Sequence, residues 1–179
     1  FDPPTVGHLG VINVASKMFD ELIVVVALGD GKTARFSESE RTAQLRSLIN
    51  ESDNFNVQVV TLPKGMYTAT FAKQLGAKYL VRGIRNGLDF EHESQLYQTN
   101  KAIADDVETV YLMPESNLKM VSSSWVKSMI GYHNWRDVVK PYVSEYTLEC
   151  LAMHYAKTRF MKTVNSKVLN LRNNAQWDA

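Results

Sequence analysis

Four short segments of this chain carry residue types suited to binding phosphate groups, and the first contains a histidine. Thr5-Val6-Gly7-His8 stands directly before an amphipathic run that extends to Phe19. The first turn of a helix has unpaired N–H groups and the positive end of the helix dipole, and both attract anions. A histidine and a flexible glycine at this point therefore predict an anion site, although a purely structural histidine explains His8 alone equally well.

Three later segments add cationic and hydroxyl side chains. Lys32 and the run Arg82-Gly83-Ile84-Arg85 each follow an apolar stretch, and Ser122-Ser123-Ser124 opens a helical pattern. Arginine pairs well with phosphate, and glycine allows a close approach of the backbone. The three serines are equally consistent with a helix cap and with a phosphate cradle.

Two neighbouring patterns have simpler interpretations. Gly31-Lys32-Thr33 is not a P-loop, because that motif needs a glycine five positions before Gly31, where Val26 stands. Asp89 and Glu93 are four residues apart and share one face of a predicted helix. For Asp89 we favour a supporting role, in which it pairs with an arginine.

The elements that position these segments alternate between short β-rich runs and longer helical runs. Strands are predicted at 21–28, 55–62, 78–82 and 107–113, and helices at 8–19, 37–49, 67–75, 88–104 and 122–129. This alternation indicates an α/β fold with a parallel sheet flanked by helices. Ligands of such sheets bind beyond the carboxyl ends of the strands. All four segments are expected at that edge, with His8 following a first strand upstream of Phe1.

Composition narrows the class of protein further. The 179 residues carry a formal net charge of +1, which argues against a general nucleic-acid binder. The longest apolar run, Leu22 to Leu28, is too short for a membrane-spanning helix, and the start has no signal-peptide pattern. Cys150 is the single cysteine, so an internal disulfide or a cysteine metal cluster is excluded. A cytoplasmic setting is the simplest expectation.

The carboxyl end differs from the rest of the chain. It becomes helical from Val143 and then basic and polar, which divides the chain into a domain over 1–153 and an extension over 154–179. The simplest interpretation of the extension is an additional helix with a flexible tail. The alternative is a contact with another subunit or a partner.

Several of these motifs occur together in one known family. The segments that carry the resemblance are Phe1 to His8, Lys32 with Phe36 and Glu40-Arg41, Arg82 to Arg85, Asp89 to Glu93, Asn100 and Ser122 to Ser124. In order and spacing they resemble the phosphopantetheine adenylyltransferases, of the nucleotidyltransferase superfamily marked by an (H/T)-x-G-H signature. The resemblance covers Phe1 to about His154 and implies a Rossmann-like nucleotidyltransferase fold with a C-terminal helical extension.

The resemblance also implies an activity and residue roles. Family members transfer the adenylyl group of ATP, with Mg²⁺ accompanying the nucleotide, to 4′-phosphopantetheine, which gives dephospho-CoA and pyrophosphate. The implied catalytic residues are His8, Lys32 and Arg85, and the implied substrate-binding residues are Lys32, Thr68 and Arg82. The implied ATP-binding residues are Phe1, His8, Gly83, Ile84, Arg85, Glu93, Leu118, Lys119, Met120, Val121, Ser122, Ser123 and Ser124. No residue is assigned to a metal, and the family assembles as homo-oligomers, commonly hexamers.

The chain departs from the family pattern in two places, one at each end. Family members have a first strand and a Gly-Ser/Thr pair directly before the position of Phe1, and we expect such residues upstream. The basic segment beyond His154 extends past the usual end of the family. Two other functions stay open: a related nucleotidyltransferase with a different phosphorylated acceptor, and a non-catalytic nucleotide-binding scaffold.

Overall fold

The computed structural model describes residues 1–27, 34–52 and 55–174, with side chains as far as Val164 except that of Ser116. The strands are β1 (Leu22–Val26), β2 (Val57–Thr61), β3 (Tyr79–Gly83) and β4 (Glu108–Leu112). The helices are α1 (Val6–Met18), α2 (Glu38–Asn50), α3 (Thr68–Gln74), α4 (Gly87–Ile103), α5 (Ser123–Met129), α6 (Trp135–Val139) and α7 (Glu145–Asn174). Short 3₁₀ turns occupy Ser116–Leu118 and Lys140–Tyr142. The expected α/β class is confirmed.

The strands are parallel but pair two by two. Among the described residues β1 pairs with β2, from Leu22 opposite Val57 onward, and β3 pairs with β4, from Tyr79 opposite Glu108 onward. The sequence predicts a parallel sheet flanked by helices, and the described strands are parallel in both pairs.

Helix α1 joins the two strand pairs through a common core. It contacts β1, β3 and β4, and Ile12 and Ala15 are buried against Val24 and Val26. Val81 of β3 and Leu112 of β4 pack against the same cluster. Because apolar burial is the main stabilising contribution to a fold, this shared core holds α1 at a fixed position over both strand pairs.

A second apolar cluster supports α5. Phe36, Val126 and Val139 pack against Leu148 and Leu151 of α7 in this cluster. It fixes the start of α5 relative to the segment that precedes α2. Sequence periodicity did not predict α6, since a helix of five residues is too short to show a 3.6-residue repeat.

Local signals set the helix ends. Ser37 and Glu40 form the predicted capping box of α2, in which Ser37 N–H donates to Glu40 Oε2 at 2.7 Å. Gly76 follows α3 with φ of +71°, a left-handed conformation that favours glycine. Helix α7 runs continuously through the expected boundary at 153–154, so that division stays a prediction. Among the described residues no helix is both long and apolar enough to cross a membrane.

Candidate active site

His8 is fixed at the start of α1 by Thr5. The Thr5 backbone N–H donates to His8 Nδ1 at 3.0 Å, and Thr5 Oγ1 lies 2.9 Å from the same nitrogen. Since a backbone N–H can only donate, Nδ1 must present its lone pair, and in the neutral ring the proton is then on Nε2. His8 therefore occupies the capping-box position of α1 and keeps one N–H donor available.

The surroundings of His8 favour its neutral form. Burial lowers the pKa of His8 to about 3, and the positive charge of Arg85 acts in the same direction. The Phe1 ring stands edge-on to the imidazole, with 4.8 Å between ring centroids. At neutral pH the imidazole is consequently a hydrogen-bond donor through Nε2 rather than a cation.

Gly7 permits close packing between α1 and the loop that precedes α5. A Cβ atom at Gly7 would lie 2.6 Å from the Val121 carbonyl oxygen and 3.5 Å from that of Leu118. The 2.6 Å distance to a backbone oxygen leaves no room for a side chain. The sequence-based interpretation of a flexible glycine is therefore replaced by a steric one, which brings the 118–121 segment beside His8.

The three serines have separate tasks. Ser122 Oγ accepts from the Trp125 N–H at 3.1 Å and caps α5. Ser123 Oγ donates to the Pro3 carbonyl at 2.7 Å, which ties α5 to the segment before α1. Ser124 is exposed. The cap interpretation is confirmed for Ser122, and the phosphate-cradle interpretation stays a prediction.

Asp2 links three parts of the chain, and sequence reasoning missed it. Its carboxylate accepts from the N–H groups of Arg35 and Phe36, each at 3.1 Å, and from Lys127 Nζ at 3.0 Å. Burial alone would raise the pKa of Asp2, but these hydrogen bonds outweigh it and hold the pKa below its ordinary value. Asp2 and Lys127 are 125 residues apart, a separation that local patterns cannot detect.

Arg82 and Glu93, predicted as ligands of different substrates, bind each other. Arg82 Nε and Nη2 donate to the two carboxylate oxygens of Glu93, both at 2.6 Å. Glu93 is buried, whereas the Arg82 side chain is 38% exposed. Tyr111 Oη also donates to the Glu93 carbonyl at 3.3 Å. The pairing fixes the direction of the Arg82 guanidinium at the end of β3.

Arg85 and Asp89 form a second bidentate pair. Arg85 Nε donates to Asp89 Oδ2 at 2.8 Å and Nη2 donates to Oδ1 at 3.1 Å. The hydrogen bonds from Arg85 lower the pKa of Asp89. Asn86 caps α4 by accepting from the Asp89 N–H at 2.9 Å. The predicted supporting role of Asp89 is confirmed.

Arg41 is a further cation at the site, and the sequence motifs assigned it no role. It is 4% exposed, and its Nη1 donates to the Ala27 carbonyl at 2.8 Å. Nε and Nη2 have no hydrogen-bond partner among the described residues. A buried guanidinium is costly unless an acceptor or a negative charge satisfies it, so Arg41 adds to the capacity for anions near Phe1.

The remaining predicted residues lie as follows. Gly83 ends β3, where a Cβ atom would come within 3.1 Å of Val11 Cγ2, and the buried Ile84 donates its N–H to the Leu112 carbonyl at 2.9 Å. Thr68 begins α3 and is half-buried, and Lys119 and Met120 are exposed in the loop before α5. Lys32 lies outside the described residues, so its predicted role is not tested.

Taken together, a half-buried histidine whose Nε2–H has no hydrogen-bond partner among the described residues, two oriented arginines and a loop packed on a helix start form a group of donors and cations suited to phosphate, on an α/β fold. The class of protein follows from a family comparison, because the cytidylyltransferase-like family profile matches residues 1–129.

Individual relatives narrow this class. The chain is 37% identical to phosphopantetheine adenylyltransferase of Chromobacterium violaceum over 145 residues, which cover 81% of this chain and 87% of that protein. It is 40% identical to the enzyme of the same name from Desulfitobacterium hafniense over 146 residues, 80% of this chain and 86% of that protein. The chain belongs to the phosphopantetheine adenylyltransferase family.

Proposed function

We propose that this chain transfers the adenylyl group of ATP to 4′-phosphopantetheine, forming dephospho-CoA and pyrophosphate in coenzyme A biosynthesis. The observation that carries the proposal is His8, whose Nδ1 is held by Thr5 while its Nε2–H remains available to an oxyanion. Membership of the phosphopantetheine adenylyltransferase family supplies the substrate class.

In this reaction a phosphate oxygen of the acceptor attacks the α-phosphorus of ATP. The new P–O bond forms as the bond from the α-phosphorus to the bridging oxygen breaks, and pyrophosphate leaves with that electron pair. The attacking phosphate is already anionic, so no general base is required. Catalysis then depends on positioning and on donors that stabilise charge on the transferred group.

His8 supplies one of these donors. Because the environment holds its ring neutral, we propose that His8 stabilises the α-phosphate oxygens through the Nε2–H hydrogen bond. Arg85 adds a fixed positive charge close to His8, and its pairing with Asp89 restricts the orientation of the guanidinium. Lys32 is proposed, from its sequence motif, to bridge the attacking phosphate and ATP.

The other roles are assigned by position in the fold. Arg82, oriented by Glu93, is proposed to hold phosphopantetheine together with Thr68. The proposed ATP site comprises Phe1, Gly83 to Arg85 and the segment Leu118 to Ser124, which Gly7 allows to pack on α1. We propose that Glu93 contributes to ATP binding indirectly, because Arg82 already occupies both of its carboxylate oxygens.

Mg²⁺, oligomer formation and location complete the proposal. The side chains around His8 are mainly donors and cations, whereas Mg²⁺ prefers oxygen ligands such as phosphate. We therefore propose that Mg²⁺ enters as MgATP, as part of the substrate. A homo-oligomer, as is common in the family, and a cytoplasmic location are proposed on sequence grounds.

The experiment that tests this function measures pyrophosphate release with ATP and 4′-phosphopantetheine. In His8→Ala, turnover should fall by a few orders of magnitude, about 3–4 kcal/mol of transition-state stabilisation, while ATP affinity falls much less. The exposed His133 provides a matched control, and His133→Ala should behave like the unmodified chain.

Three outcomes would contradict the proposal. Equal losses of turnover and ATP affinity in His8→Ala would place His8 in ground-state binding only. In a panel of phosphorylated acceptors, pyrophosphate release with another acceptor but not with 4′-phosphopantetheine would indicate a related nucleotidyltransferase. ATP binding without pyrophosphate release for every acceptor would indicate a scaffold.

A further inference from the structure

Helix α7 has two apolar faces, and the fold covers only one of them. Leu148 and Leu151 are buried in the cluster around Phe36. On the opposite side Tyr146, Met153 and Phe160 recur every seven residues and are 44%, 64% and 68% exposed. Residues seven apart lie on one side of a helix, so these three side chains form a stripe along one side of α7, which can pack against another helix.

The later part of α7 extends away from the body of the protein. Every residue from Ala156 to Val164 is exposed, and the helix continues to Asn174. Isolated helices are only marginally stable in water, and most of the stability of a protein helix comes from packing one apolar face. The stripe, with Val164 near its end at 37% exposed, is the surface through which this segment can gain such packing.

Charge along α7 favours a second copy of the same helix in the opposite direction. Glu145 and Glu149 lie in its first turns, and Lys157, Arg159 and Lys162 follow later. An antiparallel pair places the acidic start of each helix beside the basic segment of the other, whereas a parallel pair places like charges together. Glu145 Oε2 lies 3.6 Å from Lys140 Nζ, and both side chains are exposed. An exposed ion pair of this length contributes little, so Lys140 holds the Glu145 carboxylate only weakly.

We propose that α7 pairs antiparallel with α7 of a second copy of this chain, about a two-fold axis near Met153. Tyr146 of one copy then faces Phe160 of the other, since both are seven residues from the axis. The contact is isologous: each helix presents the same stripe to its partner, which closes the assembly without leaving an unpaired surface. This pairing is independent of the proposed reaction.

The first test compares molar mass in solution by light scattering for the full chain and its variants. Phe160→Glu and Met153→Glu place a charge in the stripe and should each halve the mass of the assembly. Thr158→Glu is the control: it adds the same charge at an exposed position of α7 outside the stripe. An unmodified chain of monomer mass, unchanged mass in the stripe variants, or equal loss in the control would overturn the proposal.

The second test fixes the direction of the pair by oxidative cross-linking in a Cys150→Ala background, which removes the single cysteine. A mixture of Tyr146→Cys and Phe160→Cys chains should form a disulfide dimer, and neither variant alone should do so. In the antiparallel pair two copies of position 160 are about 20 Å apart, from a rise of about 1.5 Å per residue. Self-cross-linking of Phe160→Cys, or none in the mixture, would overturn the arrangement.

Discussion

The state of His8 predicts how the stability of the protein changes between neutral and mildly acidic pH. We choose His8→Gln as the perturbation, because glutamine does not titrate and is itself favoured at the third position of a capped helix. Its amide oxygen can accept from the Thr5 N–H as His8 Nδ1 does. The substitution therefore removes the titration while it keeps the cap.

The magnitude follows from the pKa of His8, which is about 3 in the folded chain against an ordinary value of 6.5. As the pH falls below 6.5, the unfolded chain binds a proton at this position and the folded chain does not, so acid favours unfolding. At pH 5 this difference lowers the free energy of unfolding by about 2 kcal/mol, and near pH 7.5 its effect is close to zero. For a chain of this size the loss corresponds to about 4–8 °C in Tm.

The assay is urea unfolding at pH 7.5 and pH 5, for the unmodified chain and for His8→Gln. We expect the unmodified chain to lose about 2 kcal/mol more than the variant over this interval. His133→Gln removes an exposed histidine and should retain the full pH dependence. Equal losses in the unmodified chain and His8→Gln would refute a neutral His8 in the folded chain, whatever happens to activity.

Two further variants test the packing and the ion pair of the site. Gly7→Ala should lower the free energy of unfolding by about 1–3 kcal/mol and weaken ATP binding, because its Cβ would lie 2.6 Å from the Val121 carbonyl oxygen. Gly87→Ala, where a Cβ meets nothing within 4 Å, should not show this loss in urea unfolding or nucleotide titration. Glu93→Gln should raise KM for 4′-phosphopantetheine about tenfold, with a smaller effect on ATP, because Arg82 loses its ionic partner. The exposed Glu91→Gln is the control, and a larger effect on ATP would assign Glu93 to the nucleotide instead.

Local signals predicted most of the elements and part of the site. The capping box at Ser37 and the pairing of Asp89 with Arg85 depend on residues three or four positions apart, which share a helix end or face. Ser122, directly before α5, acts as its cap because a hydroxyl at that position can accept from a backbone N–H of the first turn. Such interactions are encoded within one turn of chain and can therefore be recognised in the sequence.

Contacts between distant segments could not be predicted in the same way. The hydrogen bonds of Asp2 to Arg35 and Lys127 join three parts of the chain, and none has a periodic signature. The steric role of Gly7 depends on a carbonyl more than a hundred residues away.

The contacts of Phe36 connect the site to the helix that we propose to pair. Its backbone N–H donates to Asp2, while its ring is buried against α7 and lies 5.6 Å from the ring of His154, measured between centroids. The buried face of α7 thus helps to hold Asp2 in place, and through Ser123 and Pro3 the start of α5 is held as well. The exposed stripe of α7 takes part in none of these contacts. Because the two faces have different partners, a charge at Met153 should change assembly while the orientation of His8 and Asp2 is retained.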